Sequence, residues 1–212
     1  MSGKKQLYLF LLAAAIGAIV YTVYINFFHD PQAAEFLSHK SGSKRPINTS
    51  IWLDVMKVHI IFACAAAIAG AFNFSRKISR DHHRKLHRIM GYLYVGAVIG
   101  TDLTSGYMAP YSTGGKPVSI AFNMLNIWWM VTTVVAIIKI RKKQTVRHRQ
   151  WMVRSYAFCF TNLFIHLIAA LFHNGFGFAY TVSYMISVYG SIVILIVLAE
   201  IVNRTIFRKN AI

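Results

Sequence analysis

Six long apolar runs, with basic residues crowded into every second connection between them, leave this chain few folds to choose from. The runs are 6–28, 51–74, 86–109, 118–140, 151–172 and 178–202. Crossing the hydrocarbon core of a bilayer takes about 20 helical residues, and each run reaches that length. In lipid, backbone amides and carbonyls must be satisfied inside the segment, which a helix does and an open strand does not. The pattern predicts an all-α, polytopic membrane protein with about six transmembrane helices.

Charge agrees with that reading. Lys and Arg outnumber Asp and Glu by 23 to 6, a balance that in a soluble protein would point to nucleic acid. Here 56% of the residues are hydrophobic, and the spans consume most of the 212 residues. No sizeable soluble domain remains, so the chain reads as one integral membrane domain, 1–212, with no nucleic-acid partner. Run 6–28 follows two lysines, as a signal peptide would. Its apolar core exceeds the usual stretch of about 7–15 residues, so it reads as a retained first helix. Cys64 and Cys159 both fall inside runs, and Cys-x-x-Cys-His is absent, which excludes covalent c-type haem attachment.

The basic connections set an orientation. Lys4 and Lys5 precede the first run. The second connection carries Arg76, Lys77, Arg80, Arg84, Lys85 and Arg88; the fourth carries Arg141, Lys142, Lys143, Arg147 and Arg149; the tail carries Arg204, Arg208 and Lys209. Basic residues are retained in the cytoplasm during insertion. Both termini are therefore expected in the cytoplasm, and the odd-numbered connections outside. Runs two to five are expected to form a central four-helix bundle, flanked by runs one and six.

A weak internal repeat relates runs two and three to runs four and five. His87-Arg88-Ile-Met-Gly-Tyr opens the third run, and His148-Arg149-Gln-Trp-Met-Val-Arg-Ser-Tyr opens the fifth. These openings, together with the His59…Gly70 helix, resemble a bacterial family of multi-pass membrane proteins catalogued as domain of unknown function 2306. The likeness covers roughly runs two to five and is carried most specifically by His148-Arg149-x-Trp151-Met152-x-Arg154-Ser155. It implies a multi-pass protein of a bacterial plasma membrane and brings no activity with it. This chain has His166 where the resemblance leads one to expect an arginine.

Placing polar residues by depth, at about 1.5 Å per residue, gathers them in the outer half of the membrane. Run two contributes Asp54, Lys57 and His59; run three, Thr101, Asp102, Thr104 and Ser105; run four, Ser119, Asn123 and Asn126; run five, Asn162, His166 and His173. Polar and ionisable groups in spans are costly and normally turn inward. Ser155, Cys159, Asn162, His166, Ala170 and His173 recur at spacings of three or four, which predicts an inward stripe. Asp102 could pair with Lys57, which lies at similar depth.

Two functions compete for this layer, and packing is the plain alternative. His59 and His166, on antiparallel helices at matching depth, could be the axial ligands of a b-type haem, giving electron transfer with a quinone or redox protein. That architecture broadly resembles four-helix transmembrane cytochromes, without their sequence motifs. Alternatively Lys57, Asp102, Asn123, Asn126, Asn162 and His173 line a pocket for a small molecule, lipid or ion, with no cofactor. Interhelical hydrogen bonds of about 0.6 kcal/mol each would suffice for packing alone.

The cytoplasmic side offers less chemistry. His83 and His87 share an i, i+4 spacing, but the surrounding Arg and Lys repel a metal cation. Arg84, Lys85, Arg88, Arg147 and Arg149 are instead expected to contact anionic lipid headgroups. No phosphate-cradling glycine loop, Gly-x-Ser-x-Gly elbow or His-Glu-x-x-His occurs.

Overall fold

A computed structural model describes residue 13 and residues 16–38, 47–74 and 84–207. Lys4, Lys5, Lys40, Lys44, Arg45, Arg76, Lys77, Arg80, His82, His83, Arg208 and Lys209 lie outside the described residues. Among the described residues there are helices and no strand. Six helices correspond to the six runs: α1 Ile16–His29, α2 Thr49–Phe74, α3 Arg84–Met108, α4 Lys116–Arg141, α5 Thr145–Gly175 and α6 Tyr180–Phe207. A five-residue helical segment, Ala34–Ser38, follows α1.

Four helices, α2, α4, α5 and α6, are long and apolar enough to cross a membrane. The described part of α1 is shorter. Helix α3 has 25 residues. Its apolar character is diluted by Arg84, Lys85 and Arg88 at one end and by Thr101, Asp102, Thr104 and Ser105 toward the other.

The ends of α4 are built by its sequence. Gly114 and Gly115 both take positive φ, 93° and 68°, which a residue with a Cβ rarely adopts. Pro117 then stands in the first turn, where its missing amide hydrogen costs nothing. Lys139 and Arg141 occupy the last turn, where cations favour the carbonyl end of the helix dipole.

The chain divides into two compact units, with the boundary between Thr101 and Asp102 inside α3. In the first unit α2 and α3 run antiparallel, and three contacts set their register. The Phe62 ring occupies the space over Gly100. His59 bonds the Thr101 backbone. Asn73, with its amide nitrogen turned to His87, donates to the His87 carbonyl at 3.3 Å and to Nδ1 at 3.1 Å, and accepts from the Gly91 amide at 3.1 Å. Trp52, Ala66, Ala69, Tyr94 and Val98 are almost wholly buried.

The second unit packs α4, α5 and α6 together. One end of it is an apolar cluster of Val118, Ala121, Ile165, Tyr184 and Val188. Helix α6, expected on the flank, packs along α5 by its small face. Ser183, Ser187 and Ser191 are fully buried. Their hydroxyls bond carbonyls about one turn back, at Ala179 just before α6 and at Tyr184 and Val188 within it. A satisfied serine is then simply small, and small residues allow close helix approach.

A Cβ added at Gly100 would lie 2.6 Å from the Phe62 ring, whereas one at Gly96 would meet nothing within 4 Å. Gly100→Ala is expected to lower stability by about 1–3 kcal/mol through overpacking. Gly96→Ala should leave stability unchanged or raise it. Thermal unfolding of the purified protein, followed by tryptophan fluorescence, checks the contrast; equal melting temperatures for the two variants would contradict it.

Candidate functional site

The densest polar contacts of the second unit fall on the opening of α5, the stretch singled out by its sequence. His148 Nδ1 donates to the Ala136 carbonyl of α4 at 2.8 Å. A carbonyl only accepts, so Nδ1 carries the proton. Ser155 Oγ lies 2.7 Å from Thr133 Oγ1, and Thr133 also donates to the Trp129 carbonyl at 2.8 Å. These two bonds join α5 to α4. On the other side, Arg154 makes a two-pronged ion pair with Glu200 of α6, Nε to Oε1 and Nη2 to Oε2, the latter at 3.1 Å. Asn203 Nδ2 donates to the Gln150 carbonyl at 3.2 Å. Both links to α6 share one antiparallel register.

Arg154 also lies over the Trp151 ring, 4.6 Å from its centre. A guanidinium is weakly hydrated and stacks on aromatic faces, so an indole shields it at modest cost. Glu200 neutralises it, and planar fork meets planar carboxylate. Beside this pair opens a small cleft lined by Trp128, Trp151, Arg154, Phe158, Ile196, Ala199 and Glu200. Phe158 and Ala199 are buried and form its floor; Trp128 and Ile196 are exposed and form its rim. The result is an apolar slot with one zwitterionic edge.

The residues expected to form the outer polar layer are placed as follows. In the first unit His59 and Lys57 are half-buried, and the His59 ring is bonded to the Thr101 backbone. In the second unit Asn126 is half-buried, while Asn123, Asn162, His166 and His173 are exposed. The His173 ring donates from Nδ1 to the Phe178 carbonyl at 2.8 Å. Both carboxylate oxygens of Asp102 are buried and accept no hydrogen bond.

The inward stripe expected on α5 fails for a local reason. A 3-10 turn at Phe158–Phe160 interrupts the α-helix. Three residues wound at 3.0 per turn carry the following face about 60° beyond its α-helical position. Past that turn Thr161, Ile165 and Ala169 face inward. Asn162, His166 and Ala170, which the regular spacing turned inward, are exposed instead.

A haem held by two imidazoles needs both at one iron. His59 belongs to the first unit and His166, exposed, to the second. Among the described residues no group of three His, Cys, Asp or Glu could hold a metal ion. The arrangement gives haem binding no support. Arg84, Lys85, Arg88, Arg147 and Arg149, expected at lipid headgroups, are all exposed.

The contacts that sequence reasoning missed are those of Glu200, Thr133, Asn203 and the serine face of α6. Glu200 carried a signal: it is the one acidic residue after Asp102 in the sequence.

Comparison with known proteins agrees with the membrane fold. The family model described as "Predicted membrane protein (DUF2306)" matches residues 56–203. No curated protein and no solved structure matches.

The Arg154 and Glu200 side chains are 26% and 39% exposed. Their coupling should therefore be about 1 kcal/mol, as for partly solvated pairs, rather than the several of a sealed pair. In a double-mutant cycle, Glu200→Leu and Arg154→Met are each expected to destabilise by stranding the partner's charge. Arg154→Met combined with Glu200→Leu should recover part of that loss. Strictly additive melting shifts would show that the pair is not coupled.

Proposed function

The chain belongs to the DUF2306 family of predicted membrane proteins, and from that premise we propose that it binds a membrane amphiphile, without a cofactor, in the cleft between α4, α5 and α6. The observation that carries this reading is the join of an apolar slot to a fixed charge pair. Trp128, Ile196 and Trp151 present the chemistry that accepts an acyl chain or a comparable hydrocarbon. Arg154 and Glu200 at the same edge present both signs of charge to a polar headgroup. Ligand sites are apolar over most of their lining with a few fixed polar groups, and this groove of about 70 Å³ takes one segment of a hydrocarbon chain that otherwise lies in the lipid. Haem-mediated electron transfer through His59 and His166 has no comparable support.

The cleft lies toward the Lys139–Arg149 end of its unit. By the bias of basic residues, that end is cytoplasmic, with both chain termini on the same side. The amphiphile would then come from the inner leaflet. Single cysteines at Ser43 (outside) and Gln144 (inside), in a background lacking Cys64 and Cys159, test this orientation. An impermeant thiol reagent should label Ser43→Cys in intact cells and Gln144→Cys only after permeabilisation. Labelling of both from the same side would overturn it.

For binding itself, the purified chain is expected to hold phospholipid through detergent exchange, measured as lipid phosphorus per chain. Trp151→Ala removes one wall and the stacked partner of Arg154. A loss of about 1 kcal/mol, or roughly fivefold in affinity, is expected from such a change. Retention that is nil in the native chain, or equal in the variant, would remove the proposal.

A further inference from the structure

We infer that the amphiphile is an acidic phospholipid, and that Arg204 with the spare nitrogen of Arg154 receives its phosphate. The inference rests on the cleft being an amphiphile site and adds the charge of the headgroup.

Charge inventory makes the first step. Toward this end of the second unit lie Lys139, Arg141, Lys142, Lys143, Arg147, Arg149, Arg154 and Arg204, and Glu200 is the one acidic residue after Asp102. Glu200 spends both its oxygens on Nε and Nη2 of Arg154. Arg154 therefore keeps Nη1 for another acceptor. Arg204 stands four residues beyond Glu200, so both side chains share one face of α6, and its charge reaches the Glu200 carboxylate. Two guanidiniums thus act on one carboxylate, and the edge of the cleft retains a net positive charge. Arg204 is exposed.

Position makes the second step. Asn203 of α6 bonds Gln150 of α5, so Arg204 lies level with Arg149 and Gln150. Arg154 lies about 6 Å farther from the basic end, four residues along the helix from Gln150. The positive groups are therefore stacked along the helix axes. They rise from the slot floored by Phe158 and Ala199 toward the exposed Arg147 and Arg149. A free anion would use the charges and leave the slot empty. A zwitterionic lipid would fill the slot and bring a choline or amine against Arg204. A phosphodiester with no compensating cation, joined to an acyl chain, satisfies both features.

The test is native mass spectrometry of the full chain in detergent, titrated with an equimolar mixture of phosphatidylglycerol and phosphatidylcholine bearing the same acyl chains. Phosphatidylglycerol adducts are expected to exceed phosphatidylcholine adducts by about fivefold, the effect of one basic residue near a headgroup. Arg204→Gln should collapse that ratio toward unity, and millimolar inorganic phosphate should leave the adducts in place. Trp151→Leu should weaken both adducts while preserving their ratio. Equal adducts in the native chain would overturn the charge assignment while leaving amphiphile binding intact. A ratio unchanged by Arg204→Gln would overturn the role given to that residue, and displacement by inorganic phosphate would reassign the site to a free anion. Absence of both adducts would sink the inference and the function on which it rests.

Discussion

A guanidinium carried on an apolar helix has to be neutralised, and the way Arg154 meets that demand organises the second unit. Its partner must be a carboxylate on a neighbouring helix at the same height, and Glu200 is the one acidic residue the sequence offers after Asp102. Once the pair forms, α5 and α6 have a single register. The neighbouring bond from Asn203 to Gln150 keeps it. Partly solvated, the pair adds only about 1 kcal/mol, so it specifies position more than it adds stability.

The same stretch of α5 faces α4 through a different chemistry. His148 and Ser155, seven residues and about two turns apart, lie on one side of the helix and bond Ala136 and Thr133. Arg154 and Gln150, on the other side, turn to α6. Thirteen residues of helix thus tie three helices together. The corresponding opening of α3 also ties back to its predecessor, through Asn73, His87 and Gly91. The two histidines do this with opposite polarity: His87 Nδ1 accepts, whereas His148 Nδ1 donates. The sequence likeness of the two His-Arg openings is matched by a likeness of position, with the hydrogen-bond chemistry rewritten.

Polar groups in the two halves of the second unit meet different fates. Toward the basic end they are bonded between helices. Toward the other end the interior is apolar, built from Val118, Ala121, Ile165, Tyr184 and Val188, and Asn162, His166 and His173 lie on the outside. Depth placed a polar layer in that outer half, and regular α-helical spacing turned it inward. Depth is a coordinate along the helix axis and says nothing of the angle around it. The angle is set by every turn upstream, and one 3-10 turn at Phe158–Phe160 changed it. The serine face of α6 was overlooked for a related reason: its hydroxyls bond their own helix, so residues that read as polar act as small packing surfaces.

What the amino-acid sequence determined by itself was the class of fold, the number of helices and the stretch of α5 on which the contacts concentrate. These follow from run length, apolarity and the clustering of basic residues, all of which are local and add along the chain. What only the tertiary structure decided was which residues meet. That Arg154 finds Glu200, that Thr133 finds Ser155, and that His166 turns outward depend on helix rotation and register. Those are properties of pairs of helices, fixed by the summed packing of their faces, and no single run of residues carries them.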